Sequence, residues 1–319
     1  MGARSGKRSE PPRTKPSHLR GRRLAWLLPG VLPWSWFLFR NSGGTIQVVA
    51  LVIPGVVALL FLFLAIVAAA GRNTVALVAS LAVLAFGAVT VLQPRIGGAS
   101  AAPVQAVRVA SANVYGRNAV PREAIAALIA QDADVLIAVE SPGGLTRLLQ
   151  NVDREHTSWV VSDELVLGSR FPARELPLPQ QLDPVRVMRV LVSRPGAPFV
   201  VYVVHDLNPL FDHDWNRQLA FDRAIRDAAL RERLPTVLAG DFNLSDRTEG
   251  YRLLEGSLRD ALRAGGGAGN TYEDGFWRVF LLRIDYVFTS PSMCAGDART
   301  FDVPGSDHEG VFVATGSCP

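Results

Sequence analysis

Between residues 24 and 100 the chain contains no Asp, Glu or Lys. Polar breaks divide this stretch into three apolar runs, Leu24–Phe39, Val48–Ala70 and Thr74–Leu92. A helix needs roughly 20 consecutive apolar residues to cross a bilayer, and the second and third runs reach that length. The pattern therefore predicts a membrane region over residues 24–93 with three transmembrane helices.

The first apolar run gives the weakest signal of the three. It is the shortest and carries Pro29 and Pro33, yet Trp26, Trp34 and Trp36 suit the interface between membrane and water. A signal peptide or a re-entrant hairpin are the alternatives. No small-residue cleavage pattern separates this run from the next, which argues against a signal peptide.

The N-terminal tail, residues 1–23, is strongly basic. It holds eight Lys or Arg against the single acid Glu10, a net charge of +7. Because basic segments beside a first span stay in the cytoplasm, we expect a disordered cytoplasmic tail. Three spans then place the rest of the chain outside the plasma membrane, whereas two spans would place it inside. A nucleic-acid-binding arm is the alternative interpretation of the tail.

The total charge of +4 conceals an acidic remainder. Without the tail and the arginines Arg40, Arg72 and Arg95, residues 101–319 carry −6. Proteins that bind nucleic acids draw most of their affinity from cationic groups that face phosphates. The charge of this part of the chain therefore disfavours DNA or RNA as its partner.

The chain has two cysteines, Cys294 and Cys318. Outside the cytoplasm they can close a disulfide, and free buried thiols are the alternative. Sequence spacing does not decide between the two, because it does not establish that the side chains are close.

After a small-residue linker over 94–106, residues 107–319 alternate strand-like and helix-like segments. Continuous apolar runs such as Val135–Val139 and Val187–Val192 are typical of strands buried on both faces. Helical patterns lie between such runs, the last of them over Thr248–Arg263. This order predicts an α/β sandwich whose sheets are covered by helices.

Polar side chains stand where several of these strands end. Glu140 directly follows Val135–Val139 and is the leading candidate for a metal ligand, while Asn113 ends the preceding strand and can orient a carboxylate or a substrate oxygen. His205 ends another strand and can donate to a phosphate oxygen. His156 and His213 have no such setting, and we expect them on the surface.

Three further fragments follow in the C-terminal third, Gly240-Asp241-Phe242-Asn243, Arg283-Ile284-Asp285-Tyr286 and Ser306-Asp307-His308. The Asp241 carboxylate can orient and deprotonate water while the Asn243 amide holds a phosphoryl group. Asp285 and His308 can form a carboxylate–imidazole pair, leaving Asp307 free to face a metal. Such a set suits a hard cation such as Mg²⁺, with Mn²⁺ as an alternative, and water attack on a phosphoester.

With these residues in this order, residues 107–319 resemble the endonuclease/exonuclease/phosphatase superfamily, which includes deoxyribonuclease I. The resemblance implies a four-layer α/β sandwich of two packed mixed sheets flanked by helices, with Mg²⁺ held chiefly by Glu140. It also implies that Asp241 orients water, that Asn113 and Asn243 organise the phosphate, and that His205 contacts it. Asp285 and His308 are implied to be a hydrogen-bonded pair, with Asp307 an auxiliary metal ligand. Tyr115 stands where abasic-site endonucleases carry a second acid, which argues against that activity.

A membrane region before such a domain is similar to the arrangement of VanJ-type teicoplanin-resistance proteins. That resemblance implies an extracytoplasmic, metal-dependent phosphohydrolase at the plasma membrane, acting on a lipid-linked envelope phosphate such as a polyprenyl pyrophosphate. An extracytoplasmic nuclease and a non-catalytic envelope binding protein are the alternatives. No protein partner or oligomeric state can be inferred from the sequence.

Overall fold

The computed structural model describes residues 24–44, 46–71, 73–92, 101–209 and 214–319, so the tail 1–23, most of the predicted linker and His213 lie outside it. Two of its helices, α1 (Ile46–Gly71) and α2 (Thr74–Gly87, continued by a π turn over Ala88–Leu92), are by length and composition able to cross a membrane. The first apolar segment, Ala25–Phe39, is shorter and breaks into four helical turns. Pro29 and Pro33 explain the breaks, because proline lacks the amide that a continuous helix needs. The structure thus has two helices of spanning length where the sequence predicted three.

The described residues form two compact units. The first unit comprises residues 24–35 and 57–86, in which Leu64, Ala79 and Val83 pack together. The second unit comprises Trp36–Val56 and Gly87–Pro319. The beginning of α1 therefore belongs to the globular unit, although the sequence analysis assigned it to the membrane region.

The globular unit is built on two six-stranded sheets. Its strands are β1 (Val104–Asn113), β2 (Val135–Val139), β3 (Ser158–Ser162), β4 (Leu165–Ser169), β5 (Ala173–Glu175), β6 (Val187–Val192), β7 (Phe199–His205), β8 (Thr236–Asp241), β9 (Arg259–Asp260), β10 (Asp285–Thr289), β11 (Met293–Phe301) and β12 (Gly310–Ser317). One sheet has the order β11-β12-β1-β2-β4-β3 and the other β5-β6-β7-β8-β10-β9. Each sheet contains one parallel pair, β1–β2 in the first and β7–β8 in the second, and is otherwise antiparallel.

Helices cover the outer faces of both sheets. They are α3 (Pro121–Ile129), α4 (Gly143–Val152), α5 (Trp215–Leu230) and α6 (Glu249–Glu255), whereas α7 (Ala261–Ala264) contributes Ala261 and Leu262 to the core between the sheets, and a 3₁₀ turn lies over Gly275–Phe280. Aliphatic side chains of both sheets, such as Ile137 and Val201, form the core between the sheets, and α3 and α5 each bury apolar side chains against one outer face. The predicted α/β sandwich, two mixed sheets flanked by helices, is confirmed.

The predicted single helix over Thr248–Arg263 is wrong. Helix α6 ends at Glu255, and Arg259–Asp260 instead pairs with β10 as a short edge strand. The buried Asp260 carboxylate explains the break, because it accepts hydrogen bonds from Arg283 and from the Tyr251 hydroxyl and also caps α7. Held by these bonds, Asp260 takes the N-cap position of α7, whose backbone is not helical, so one helix cannot continue through it.

Cys294, near the start of β11, and Cys318, the residue after β12, form a disulfide. The disulfide alternative left open by the sequence is therefore the one that the structure contains.

Candidate active site

The predicted site residues come equally from the two sheets. Asn113 ends β1, Glu140 follows β2 and His308 precedes β12, while His205 ends β7, Asp241 ends β8 and Asp285 begins β10. In each sheet the two parallel strands bring their carboxyl ends to the same edge, and the two edges face each other. Six side chains separated by up to 195 residues in sequence therefore meet in one place.

Gly240 explains the shape of the Gly-Asp-Phe-Asn turn. Its φ is +139°, and a Cβ built on it would lie 1.9 Å from the Val204 carbonyl oxygen, so only glycine fits. The turn directs the Asp241 carboxylate into the site and buries Phe242 completely in the core. Asn243 then adopts a φ of +51°, and its backbone N–H donates to Asp241 Oδ1 at 2.8 Å.

Asn113 lies at the centre of the cluster. Its Nδ2 donates to Glu140 Oε1 at 2.9 Å and to Asp241 Oδ2 at 3.2 Å, and lies 3.5 Å from His308 Nε2. Glu140 has a φ of +52°, a strained conformation for a residue with a side chain. Strain of this kind is concentrated at functional sites, where the surrounding structure holds it in place.

Asp285 and His308 form the predicted pair, with His308 Nδ1 2.8 Å from Asp285 Oδ2. The other ring nitrogen, Nε2, lies 3.9 Å from both Asp241 Oδ2 and Asp307 Oδ1. Burial lowers the pKa of His308, but the negative charges of Asp285 and Asp241 outweigh it and raise the pKa to about 10. His308 is therefore a cation at neutral pH, held against the cluster of carboxylates.

His205 also has a carboxylate partner, Glu164, whose Oε1 accepts a hydrogen bond from Nδ1. Burial opposes the charged ring, yet the bond to Glu164 and the charge of Asp241 raise the pKa of His205 to about 9. Sequence reasoning missed Glu164, because it lies in a hairpin turn between β3 and β4, where surface acids are common. It also missed Arg186, which lines the same pocket and pairs with Asp206 at 3.2 Å.

The pocket that these groups line has a volume of about 560 Å³. Within it, burial and the neighbouring Asp285 charge raise the pKa of Asp241 to about 6. Burial also raises the pKa of Asp307, whose Oδ1 has no hydrogen-bond partner.

His156, predicted to be exposed, is instead buried outside this pocket, with Nδ1 2.6 Å from Asp153 Oδ2. Its partner Asp153, close in sequence, makes that burial tolerable.

The donor set fits a hard divalent cation. Ligand atoms of Glu140, His205 and Asp241 lie within 4.8 Å of one another, as do those of Asp241, Asp285 and His308. Carboxylates dominate both sets, Asp307 adds a further one whose Oδ1 has no hydrogen-bond partner, and such oxygen atoms are those that Mg²⁺ and Mn²⁺ prefer.

Comparison with solved structures finds the same fold in proteins of low sequence identity. An endonuclease/exonuclease/phosphatase from Beutenbergia cavernae is 22% identical, with a TM-score of 0.52 over 67% of this chain and 72% of that one. A humanized D. rerio TDP2 is 14% identical, with a TM-score of 0.53 over 67% of this chain and 100% of that one. A Staphylococcus aureus beta toxin mutant with bound magnesium ions is 16% identical, with a TM-score of 0.50 and the same coverage. At these identities the likeness shows the fold alone.

No curated protein matches this sequence closely enough to count as a relative. The family model described as "Endonuclease/Exonuclease/phosphatase family" matches residues 110–308, which is more than half of the chain and runs from β1 to His308. The matched stretch contains every one of the predicted site residues. The chain therefore belongs to the endonuclease/exonuclease/phosphatase family.

Proposed function

We propose that the protein is a membrane-anchored, divalent-metal-dependent hydrolase of phosphoesters or phosphoanhydrides. The observation that carries this proposal is the convergence of Glu140, Asp241 and His308 around the Asn113 amide. Water attack on phosphorus needs a carboxylate that accepts a proton from the water and cations that stabilise the charge on the phosphoryl oxygens, and this pocket holds both.

Each group has a role that follows from its environment. Glu140 and Asp307 would hold the ion, which when bound supplies Lewis-acid polarisation of a phosphoryl oxygen. Asp241, with a pKa of about 6, is ionised at neutral pH and can accept a proton from water. The amides of Asn113 and Asn243 orient that water and the phosphoryl group. The protonated rings of His205 and His308 balance the negative charge that develops on phosphorus oxygens.

The substrate we propose is a lipid-linked phosphate such as a polyprenyl pyrophosphate. Tyr272 and Asp274 line the catalytic pocket, and the 3₁₀ turn that follows them exposes Phe276 and Val279, whose exposed fractions are 73% and 57%. Exposed apolar side chains beside a pocket favour contact with a bilayer or with a lipid chain. Such a surface brings the pocket to membrane-bound substrates and raises their effective concentration.

The start of α1 adjoins the same region. Leu51 of α1 is buried in a cluster with Trp215, Phe280 and Ile284, and Tyr272 packs against this cluster. Tyr272 in turn lies edge-on to His308, with ring centroids 5.2 Å apart. An apolar helix that begins one side chain away from the catalytic histidine supports an active site at the membrane surface.

The test uses the full chain in detergent or in nanodiscs, because residues of α1 are part of the globular unit. With Mg²⁺ we expect phosphate release from a polyprenyl pyrophosphate, loss of release in EDTA, and recovery when Mg²⁺ or Mn²⁺ is restored. Asp241→Asn should abolish the activity, whereas Asp297→Asn, the same change at an exposed side chain, should leave it intact.

Full activity of the Asp241→Asn protein would refute the catalytic assignment. Supercoiled plasmid and soluble nucleotides serve as competing substrates in the same assay. Nicking of the plasmid at rates above lipid hydrolysis would establish the nuclease alternative instead, against the expectation from the net charge of −6 over residues 101–319. Absence of turnover on every phosphoester would favour the binding-protein alternative.

We further propose that the globular unit is extracytoplasmic. The Cys294–Cys318 disulfide supports this location, because disulfides persist in oxidising compartments. The basic tail supports it as well if Leu24–Phe39 crosses the membrane as a third span. A reporter fused after Pro319 that is active only outside the cytoplasm is expected to be active, and a cytoplasmic readout would overturn the proposed topology.

A further inference from the structure

A second cavity, of about 780 Å³, lies in the globular unit, and none of the residues that line it also lines the catalytic pocket. One wall is the segment that precedes α1, with Trp36, Phe37 and Arg40, and another wall consists of α6, β9 and α7. We name it the arginine cavity, because five arginines line it: Arg40, Arg247, Arg252, Arg259 and Arg263.

Carboxylates neutralise only some of these arginines. Asp246 pairs with both Arg247 and Arg263, at 3.3 and 3.1 Å. Asp260 pairs with Arg283, which does not line the cavity, and with Arg263 at 3.6 Å. Among the described residues, no carboxylate lies within 4.0 Å of the guanidinium groups of Arg40, Arg252 or Arg259. Glu255 is the third acid of the lining, so five arginines face three carboxylates and the cavity keeps a net positive charge.

Arg252 shows how firmly this charge is held. Its guanidinium donates to Asn41 Oδ1 at 2.7 Å and to the Arg247 carbonyl oxygen at 2.7 Å, and it also donates to the Arg40 carbonyl oxygen. All of these acceptors are neutral, so they orient the cation without cancelling its charge. Burial, together with the nearby Arg40 charge, lowers the pKa of Arg252 to about 10, which still leaves it charged at neutral pH.

Arg259 adds an unused donor. Its Nε is buried and has no hydrogen-bond partner, while one terminal nitrogen donates to the Pro291 carbonyl oxygen at 3.2 Å. A buried donor without an acceptor costs free energy, which a bound anion would recover. Half-buried, uncompensated guanidinium groups in one cavity are the usual way in which proteins recognise phosphate.

The remaining wall is apolar. Trp36 is buried, Val89 and Phe37 line the cavity, and the Arg40 guanidinium lies over the Phe37 ring, 4.9 Å from its centre. Trp36 and Phe37 belong to the last helical turn of the first apolar segment, and Val89 belongs to the π turn that continues α2. The cavity thus combines cations with an aromatic wall formed by the ends of apolar segments, and side chains of these kinds contact lipid headgroups where such segments cross a membrane.

We propose that the arginine cavity binds the phosphodiester headgroup of an anionic phospholipid. This inference rests on the membrane location proposed above but not on the proposed hydrolysis. The phosphate accepts hydrogen bonds from Arg40, Arg252 and Arg259, and the Trp36–Phe37 wall contacts the glycerol and the upper part of the acyl chains.

The test counts lipids bound to the full chain in detergent by native mass spectrometry, with phosphatidylglycerol and phosphatidylcholine supplied in equal amounts. We expect phosphatidylglycerol to be retained about tenfold more than phosphatidylcholine, as charge-assisted hydrogen bonds of this number imply. Arg259→Gln and Arg40→Gln should each reduce that preference severalfold and together remove it. Arg154→Gln, which changes an exposed arginine outside the cavity, should not.

Melting temperatures of the variants identify any that fail to fold, and Arg259→Gln is the informative one because its Nε bonds nothing in the protein. Equal retention of the two lipids by the unmodified chain, or an unchanged preference in the folded double variant, would overturn the proposal. Thermal stabilisation by inorganic phosphate as large as that by phosphatidylglycerol would assign the cavity to free phosphate and would also overturn it. Selective retention by a chain without hydrolase activity supports this inference and counts only against the proposed function.

Discussion

Asp285 shows how far a single residue of this site depends on its partner. One of its oxygens binds His308 at 2.8 Å, and the other is buried without a hydrogen-bond partner. An acid in this position is stable only because the imidazole beside it is charged. The pair was predicted from the sequence, because each residue lies where an apolar strand-like run meets a loop and the two fragments follow in the family's order. Glu164 and Arg186 were not predicted, because the partners they bind, His205 and Asp206, come near them only in the folded chain.

Replacing Asp285 by Asn keeps the size of the side chain and removes its charge. The pKa of His308 should fall, because the largest contribution that raises it is lost. We expect kcat on the proposed substrate to drop about a hundredfold or more, with a smaller effect on KM. Steady-state kinetics at several pH values measure this, with Asp297→Asn as the control. Unchanged kcat would mean that His308 does not act through Asp285.

Asp222 provides a prediction about stability rather than catalysis. It is buried on α5, one of its oxygens has no hydrogen-bond partner, and burial together with the Asp206 charge raises its pKa well above the ordinary value. The folded state therefore keeps a proton that the unfolded chain releases above about pH 4. Stability must fall as the pH rises from there towards the folded-state pKa, because the unfolded state binds fewer protons.

Asp222→Asn removes this pH-dependent penalty. We expect the melting temperature of the variant to exceed that of the unmodified chain, by a margin that grows between pH 5 and pH 8. Asp227→Asn, on the same helix but paired with Arg226 near the surface, should show no such trend. A margin that is constant with pH would show that Asp222 titrates normally.

At the scale of elements, buried strands were predictable and edge strands were not. Val135–Val139 and Val187–Val192 have the predicted bounds, because strands buried on both faces require continuous apolar runs. Ala173–Glu175 and Arg259–Asp260 are short and polar, and the bulged β11 does not alternate, so their sequences carry no strand signal. The error over Thr248–Arg263 has the same origin, since the Asp260–Arg283 contact that breaks the helix is long-range.

The turn at Gly240 is the element that we expect to tolerate least change. Gly240→Ala places a methyl group 1.9 Å from the Val204 carbonyl oxygen and strains a φ of +139°, so the strands β7 and β8 must move apart. We expect a loss of about 3 kcal/mol or more in the free energy of unfolding. Gly196→Ala, where φ is +74° and no atom lies within 4 Å, should cost only about 1 kcal/mol. Denaturant titration of both variants separates the cost of the steric clash at Gly240 from the cost of placing alanine at a positive φ. Equal losses of stability in the two variants would contradict the predicted clash.

For the molecule as a whole, the disulfide is the one covalent constraint within the described residues. Cys294 and Cys318 are separated by 24 residues and join the two strands at the edge of one sheet. Sequence alone left their pairing open, because it gave no distance between them. It likewise left open that the beginning of α1 belongs to the globular unit, which depends on contacts such as that between Arg247 Nε and the Ala50 carbonyl oxygen.

Replacing both cysteines by Ala should lower the free energy of unfolding by about 3 kcal/mol, the amount expected from freeing a loop of this length in the unfolded chain. Reduction of the unmodified protein should have the same effect, and the double variant should be insensitive to reductant. Thermal or denaturant unfolding with and without reductant measures both. A reductant-independent stability of the unmodified chain would show that the disulfide contributes nothing.

The division of the active site between two sheets has a further consequence. Neither half of the β-sandwich holds a working set of groups, so turnover depends on how the sheets are spaced as much as on any one side chain. A shift of a fraction of an ångström between the sheets, too small to unfold the protein, would abolish the proposed hydrolysis. Replacing valines in the layer between the sheets by larger or smaller residues should therefore lower the proposed kcat at temperatures at which the protein is still folded. A tightly bound product analogue should restore the spacing of the sheets, because it contacts groups from both.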